Sequence, residues 1–205
     1  QSPSLSIIPT INQVAMVPFI DWQKCYGGSN REYGFGLIQT NDSNFIFTGK
    51  TLSNNGDVSG NHGDYDFWVV KVNQLGNKIW QKCYGGTDDE NGNDIIELSG
   101  SEYFVTGEVE SNNGNVSGLY GQSDTWNIMI ENDGTLVWQK CIGGTLSDFA
   151  KATSKINDYS MVVCGYSYSG NGNVSGNLGM TDMTIHKIDN NGNLTTVSTP
   201  LIDGI

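Results

Sequence analysis

The sequence predicts an all-β fold, a β-propeller-like array of four-stranded antiparallel blades built from three repeats of 58 residues. Three observations predict it. First, the segment Trp22-Gln23-Lys24-Cys25-Tyr26-Gly27-Gly28 returns at Trp80 to Gly86 and again at Trp138 to Gly144, 58 residues apart each time. Second, other positions hold the same register, among them Gly49, Gly107 and Gly165, the Val-Ser-Gly steps that begin at Val58, Val116 and Val174, and the closing Gly76, Gly134 and Gly192. Third, the 205 residues include 27 glycines and only 16% charged residues, the balance of short strands joined by tight polar turns.

Each unit divides into four strands. The first covers residues 34–40, 92–98 and 150–156. Its small residues (Gly34, Gly36, Gly92, Ala150, Ala152) suit a place where neighbouring backbones approach closely. The second covers 45–51, 103–109 and 160–167. The third covers 67–73, 125–131 and 183–189. In its first copy Trp68, Val70 and Val72 share one face, while Phe67, Val69 and Lys71 share the other, so both faces are covered. The fourth covers 78–84 and 136–142, with residues 194–199 closing the third unit. Third and fourth strands are joined by hairpins at Gly76, Gly134 and Gly192, where glycine supplies the positive φ.

Units of this size cannot bury themselves alone and must stack, and radial stacking as blades is the arrangement expected here. The domain reading is an N-terminal extension over residues 1–18 and a repeat domain over 19–205, with repeats at 22–79, 80–137 and 138–195. A fourth-strand copy at residues 19–26 has no first three strands ahead of it. The outer faces of the first and third units carry Trp68, Val70, Ile185 and Ile188, too apolar to stay wet. The expected partners are therefore further propeller repeats or a second chain, with a protein or a glycan as ligand.

The unit also resembles a known kind of repeat. A Gly-Gly step and an acid (Glu32, Glu90, Asp148) precede the first strand. Thr48-Gly49, Thr106-Gly107 and Cys164-Gly165 occur in the second. Asn55-Gly56-Asp57-Val58-Ser59-Gly60 and its copies follow, and an Asp precedes an aromatic-rich strand. This pattern resembles the β-propeller repeats of secreted and surface proteins of Bacteroidetes bacteria, many of them substrates of the type IX secretion route. The resemblance spans roughly residues 19 to 195. It implies a propeller fold and a secreted or cell-surface location. A first residue of Gln rather than Met is read in the same sense, as a chain whose signal peptide has been removed. Some members of that group are labelled endoglucanases, which supplies the alternative reading of a polysaccharide-binding or polysaccharide-degrading propeller.

The formal net charge of −12 disfavours nucleic acid, whose binding requires cationic side chains to displace counterions. Anionic membrane surfaces are disfavoured for the same reason, and no stretch approaches the roughly 18 apolar residues of a spanning helix. No catalytic set stands out. His62 and His186 do not recur between units, and no pair has zinc-ligand spacing. The chain therefore reads as non-catalytic and free of cofactors, calcium excepted.

Calcium enters through the loop between the second and third strands, where Asn, Asp and carbonyl oxygens alternate with Gly. The candidate ligands are Asp57 and Asp66, Asn115 and Asp124, and Asn173 and Asp182. The competing reading makes these side chains caps of their own turns. Glu32, Glu90 and Asp148 divide in the same way, between an acidic ring facing a cation or a sugar hydroxyl and acceptors of nearby backbone N–H groups. Cys25, Cys83 and Cys141 share one repeat position on different blades, too far apart for a disulfide, and with Cys164 are expected to be small buried free thiols.

Overall fold

A computed structural model describes residues 20–195 of the chain. The predicted extension (1–18) and most of the third unit's predicted fourth strand (196–199) lie outside the described residues. Three antiparallel sheets of four, four and three strands account for nearly all regular structure. The first contains β1 (Glu32–Gln39), β2 (Phe45–Thr51), β3 (Asp66–Val72) and β4 (Lys78–Tyr84). The second contains β5 (Glu90–Glu97), β6 (Tyr103–Val109), β7 (Asp124–Ile130) and β8 (Leu136–Ile142). The third contains β9 (Asp148–Asn157), β10 (Ser160–Ser167) and β11 (Asp182–Asp189). The one helical element among the described residues is a 3₁₀ turn, Ser99–Ser101, between β5 and β6.

Strand order follows chain order in every sheet. The first strands begin two residues earlier than the sequence pattern suggests, because the acids at their heads join the ladder: Glu32 lies opposite Thr51, Glu90 opposite Val109 and Asp148 opposite Ser167. The hairpin glycines adopt the expected positive φ, +70° at Gly76, +81° at Gly134 and +80° at Gly192.

The sheets stack face to face. β5 packs against β1 on one side and β9 on the other, so the three first strands run next to one another. The alternation in β3 has the anticipated consequence. Phe67 and Val69 enter a core shared with Ile95, Val105 and Trp126 of the second sheet, while Trp68, Val70 and Val72 enter a separate cluster on the other face. A third cluster joins Phe104 and Ile142 of the second sheet to Met161 and Val163 of the third. At the first interface, the aromatic rings of Phe67 and Trp126 meet edge to face with centroids 4.6 Å apart.

The fourth strands serve two sheets each. β4 pairs with β3 along its length, yet its Trp80 Nε1 donates to the carbonyl of Asn132 at 2.9 Å and its Tyr84 hydroxyl to the carbonyl of Gly134 at 2.5 Å, both in the hairpin of the next sheet. Trp138 of β8 repeats the clamp on Asn190 at 2.8 Å.

Two expectations are corrected. The segment at residues 19–26 forms no strand over its described part, because β-structure requires a ladder partner and the sheets supply none there. It nevertheless makes the clamp: Trp22 Nε1 donates to the Gln74 carbonyl at 3.0 Å and the Tyr26 hydroxyl to that of Gly76 at 2.6 Å. Second, Trp68 and Val70 are buried, since Tyr26, Phe45 and Phe47 pack over them, and Ile188 is buried beside Leu194; Ile185 is exposed as anticipated. Of the third unit's predicted fourth strand, the described residues include only 194 and 195, and Leu194 forms a bridge with Ile188.

Candidate functional site

The recurring polar groups converge at the corner where one sheet hands the chain to the next. The Gly-Gly step leaves the fourth strand, and the acid four residues later turns back on it. Gly28 N donates to Glu32 Oε2 at 3.1 Å, Gly86 N to Glu90 Oε2 at 2.8 Å, and Gly144 N to Asp148 Oδ2 at 2.7 Å. The same carboxylates hold the end of the second strand. Thr51 Oγ1 donates to Glu32, Ser111 N to Glu90, and the hydroxyls of Ser167 and Ser169 to Asp148. These acids are acceptors of backbone N–H and hydroxyl groups, the second of the two readings of their recurrence.

The six candidate calcium ligands also find protein partners. Asp57 is bound by Lys78 Nζ at 2.8 Å and accepts from Gly27 N at 3.3 Å. Asn115 Oδ1 accepts from Gly85 N at 3.2 Å. Asn173 holds the same corner through its backbone, its N–H donating to the Gly143 carbonyl at 2.8 Å. Asp66 lies 2.6 Å from His62 Nδ1, Asp124 accepts from Tyr120 N at 2.9 Å, and Asp182 accepts from Leu178 N. Among the described residues, no group of three or more His, Cys, Asp or Glu side chains is arranged to hold a metal ion.

The sequence reading missed that carboxyl groups of consecutive units meet. A Cβ placed on Gly85 would stand 2.2 Å from Glu90 Oε2 and 2.8 Å from Asp66 Oδ1. One placed on Gly143 would stand 2.2 Å from Asp124 Oδ1 and 2.7 Å from Asp148 Oδ2. Each corner glycine is thus packed between an acid that starts a third strand and an acid that starts the next first strand. The available signal was the constant separation of the two acids in sequence, but only the stacking places them together. Burial, reinforced by Asp66, pushes the Glu90 carboxyl up to about 7. Burial and Asp148 push Asp124 up to about 6. The Oδ1 atom of Asp124 is buried without a hydrogen-bond partner, which suits a protonated acid.

This arrangement dictates a pH dependence. Raised acids bind protons in the folded chain that the unfolded chain releases, so their stabilisation is complete below the ordinary carboxyl range and is lost as pH rises to about 7. Asp57, lowered by its bond to Lys78, acts in the opposite sense, but only as pH falls through the acid range. Chemical denaturation is expected to give a higher midpoint at pH 5 than at pH 8, with Glu90 contributing on the order of 3 kcal/mol. Glu90→Gln should flatten the profile. A midpoint that rises between these pH values would contradict the assignment.

All four cysteines are free. Cys83 and Cys141 are buried, and burial together with Asp66 or Asp124 pushes each thiol up to about 12. Cys25 and Cys164 are exposed, against the expectation of buried thiols throughout. The cause in both cases is the missing neighbour: Cys25 precedes the first sheet, and Cys164 lies in the outermost one.

No helix among the described residues is long and apolar enough to cross a membrane. No family model and no curated protein matches the chain. Among solved structures, the chain is similar to a protein of unknown function from Bacteroides caccae, at 10% sequence identity over 85% of this chain and 49% of that one, with a TM-score of 0.42. The chain spans about half the length of that protein.

Proposed function

We propose that the chain is a non-catalytic extracellular β-propeller repeat module, serving surface interaction or scaffolding in a secreted bacterial protein. The observation that carries this reading is the clamp at Trp22, Trp80 and Trp138, each bonded to the hairpin 52 residues further on. Side chains that recur from unit to unit serve to join units: the clamp and the acids at the corner. Radial stacking is supported by the first strands lying side by side while the fourth strands form the opposite edges of their sheets. The extracellular address rests on the motif resemblance, and the net charge of −12 suits a soluble surface outside the cell.

One observation favours the alternative of a polysaccharide-binding propeller. Phe149 and Tyr166 face each other with ring centroids 4.8 Å apart, and Tyr168 stands edge-on to both. They line an open cavity of about 340 Å³ with Gln122 and Ser147. Aromatic faces beside hydrogen-bonding groups suit sugar rings. A panel of soluble and insoluble polysaccharides separates the readings. The scaffold reading expects no release of reducing ends and no retention on any of the polysaccharides. Robust hydrolysis by this chain alone would overturn it, and retention abolished by Tyr166→Ala would favour the glycan reading.

A further inference from the structure

The stack of three sheets ends in two outer faces, and equivalent positions inside the stack tell what each is shaped to meet. At the first interface, Phe67 and Val69 project from β3 and are 0% exposed. Phe67 rests on a pair of glycines in the second sheet. A Cβ on Gly107 would stand 2.8 Å from its Cζ, and one on Gly92 would stand 3.3 Å from its Cγ. Thr125 and Asn127 hold these positions at the second interface and are buried as well. In the third sheet the same positions are Met183 and Ile185, 87% and 73% exposed.

The opposite outer face carries the matching recess. Gly34 and Gly49 stand where Gly92 and Gly107 stand one unit later, and nothing lies within 4 Å of a Cβ placed on Gly34. Leu37, the counterpart of fully buried Ile95, is 65% exposed, and Phe35 is 51% exposed. With Phe45, Phe47, Trp22 and Tyr26 they line an apolar cavity of about 500 Å³. Polar partners are matched too. Lys71 Nζ crosses the first interface to Asn132 Oδ1 at 2.6 Å. Lys187 and Gln74 hold the equivalent positions on the two outer faces. Asp182 and Glu32 likewise hold the positions of the acids that meet at each internal corner.

We propose that the third sheet of one copy stacks on the first sheet of a second copy, head to tail, with Met183 on Gly34 and Gly49 and Ile185 against Leu37. The proposal rests on the reading of the chain as a stacking repeat module. A second copy is the occupant because both halves of the contact belong to this one chain, and because the contact continues an interface that it already builds twice internally. The contact is heterologous, so it closes into a ring or grows as an open array.

Two double variants test it, each altering only exposed side chains. Met183→Lys with Ile185→Lys blocks the projecting face. Phe35→Lys with Leu37→Lys blocks the recess. In sedimentation experiments the unaltered 205-residue chain should form species of two or more copies as its concentration rises. Each variant alone should sediment as a single chain, its self-association weakened at least about 100-fold. An equimolar mixture of the two should restore a two-chain species, since each retains the half that the other lacks. Peroxide footprinting gives a second readout. Met183 should oxidise more slowly than the equally exposed Met180 in the assembled chain, and at the same rate in the variant with the blocked recess.

An unaltered chain that stays single at every concentration overturns the proposal, whether Met183 is reactive or is shielded by other parts of the same chain. A double variant that still self-associates, or a mixture that forms no pair, overturns it too. The stacking reading fails separately, if Phe67→Ala leaves stability unchanged.

Discussion

Phe67→Ala is expected to lower the unfolding free energy by about 3–5 kcal/mol, the cost of deleting a fully buried aromatic ring that its surroundings cannot replace. The ring is completely buried between the first two sheets. It meets Trp126 edge to face and fills the space above Gly92 and Gly107. Glycines have no side chain to relax into a void, so the cavity should persist. The same repeat position in the third unit provides the control. Met183 is almost fully exposed, and Met183→Ala should change the stability of the single chain by less than about 0.5 kcal/mol. Urea denaturation followed by tryptophan fluorescence compares the two. A loss below about 1 kcal/mol for Phe67→Ala would mean that the first interface contributes little.

Gly107→Ala should cost about 3 kcal/mol or more, although it adds a single methyl group. The φ of Gly107 is ordinary, so the cause is space rather than backbone strain. A Cβ there would lie 1.9 Å from the Asn91 carbonyl oxygen and 2.8 Å from the Phe67 ring. The carbonyl reaches that point because the β5–β6 ladder shifts register between Gly92 and Asp94. Gly49 and Gly165 meet the carbonyls of Tyr33 and Phe149 in the same way, which accounts for glycine at all three copies. Gly34→Ala is the contrasting substitution, with open space around the new methyl group, and is expected to be nearly neutral in the single chain. Circular dichroism together with chemical denaturation checks both. A Gly107→Ala chain of unaltered stability would show that the ladder can shift to admit a side chain.

Much of this fold was legible in the sequence, because a constant period exposes the rules of the unit. Glycine at residues 76, 134 and 192 gave the hairpins, and the alternation in residues 67–72 gave a strand covered on both faces. The same logic failed at residues 20–26. They repeat a fourth-strand motif, but a strand exists only against a partner, and the motif turns out to encode the clamp as well as the ladder. The burial of Trp68 and Val70 was missed for a related reason, since that docked segment covers them. The meeting of Asp66 with Glu90 depends on how one sheet lies on the next, a relation that no local pattern carries. The loop residues Asp57, Asn115 and Asn173 were ambiguous because cation ligation and turn capping use the same oxygen atoms.

The fourth strands hold a consequence for how such a chain changes over generations. A stretch from one Trp to the residue before the next, such as 22–79, begins with a clamp and contains the hairpin which that clamp grips, yet leaves its sheet to be closed by the strand that opens the following stretch. Genetic period and structural sheet are out of phase by one strand, like courses of brick laid with staggered joints. An in-frame duplication or loss of 58 residues therefore keeps strand order and clamp in phase, wherever in the period the crossover falls. Copy number can change with every sheet and clamp kept whole, but each new seam pairs side chains afresh: loss of the second unit would set Phe67 of the first against Ala150 in place of Gly92.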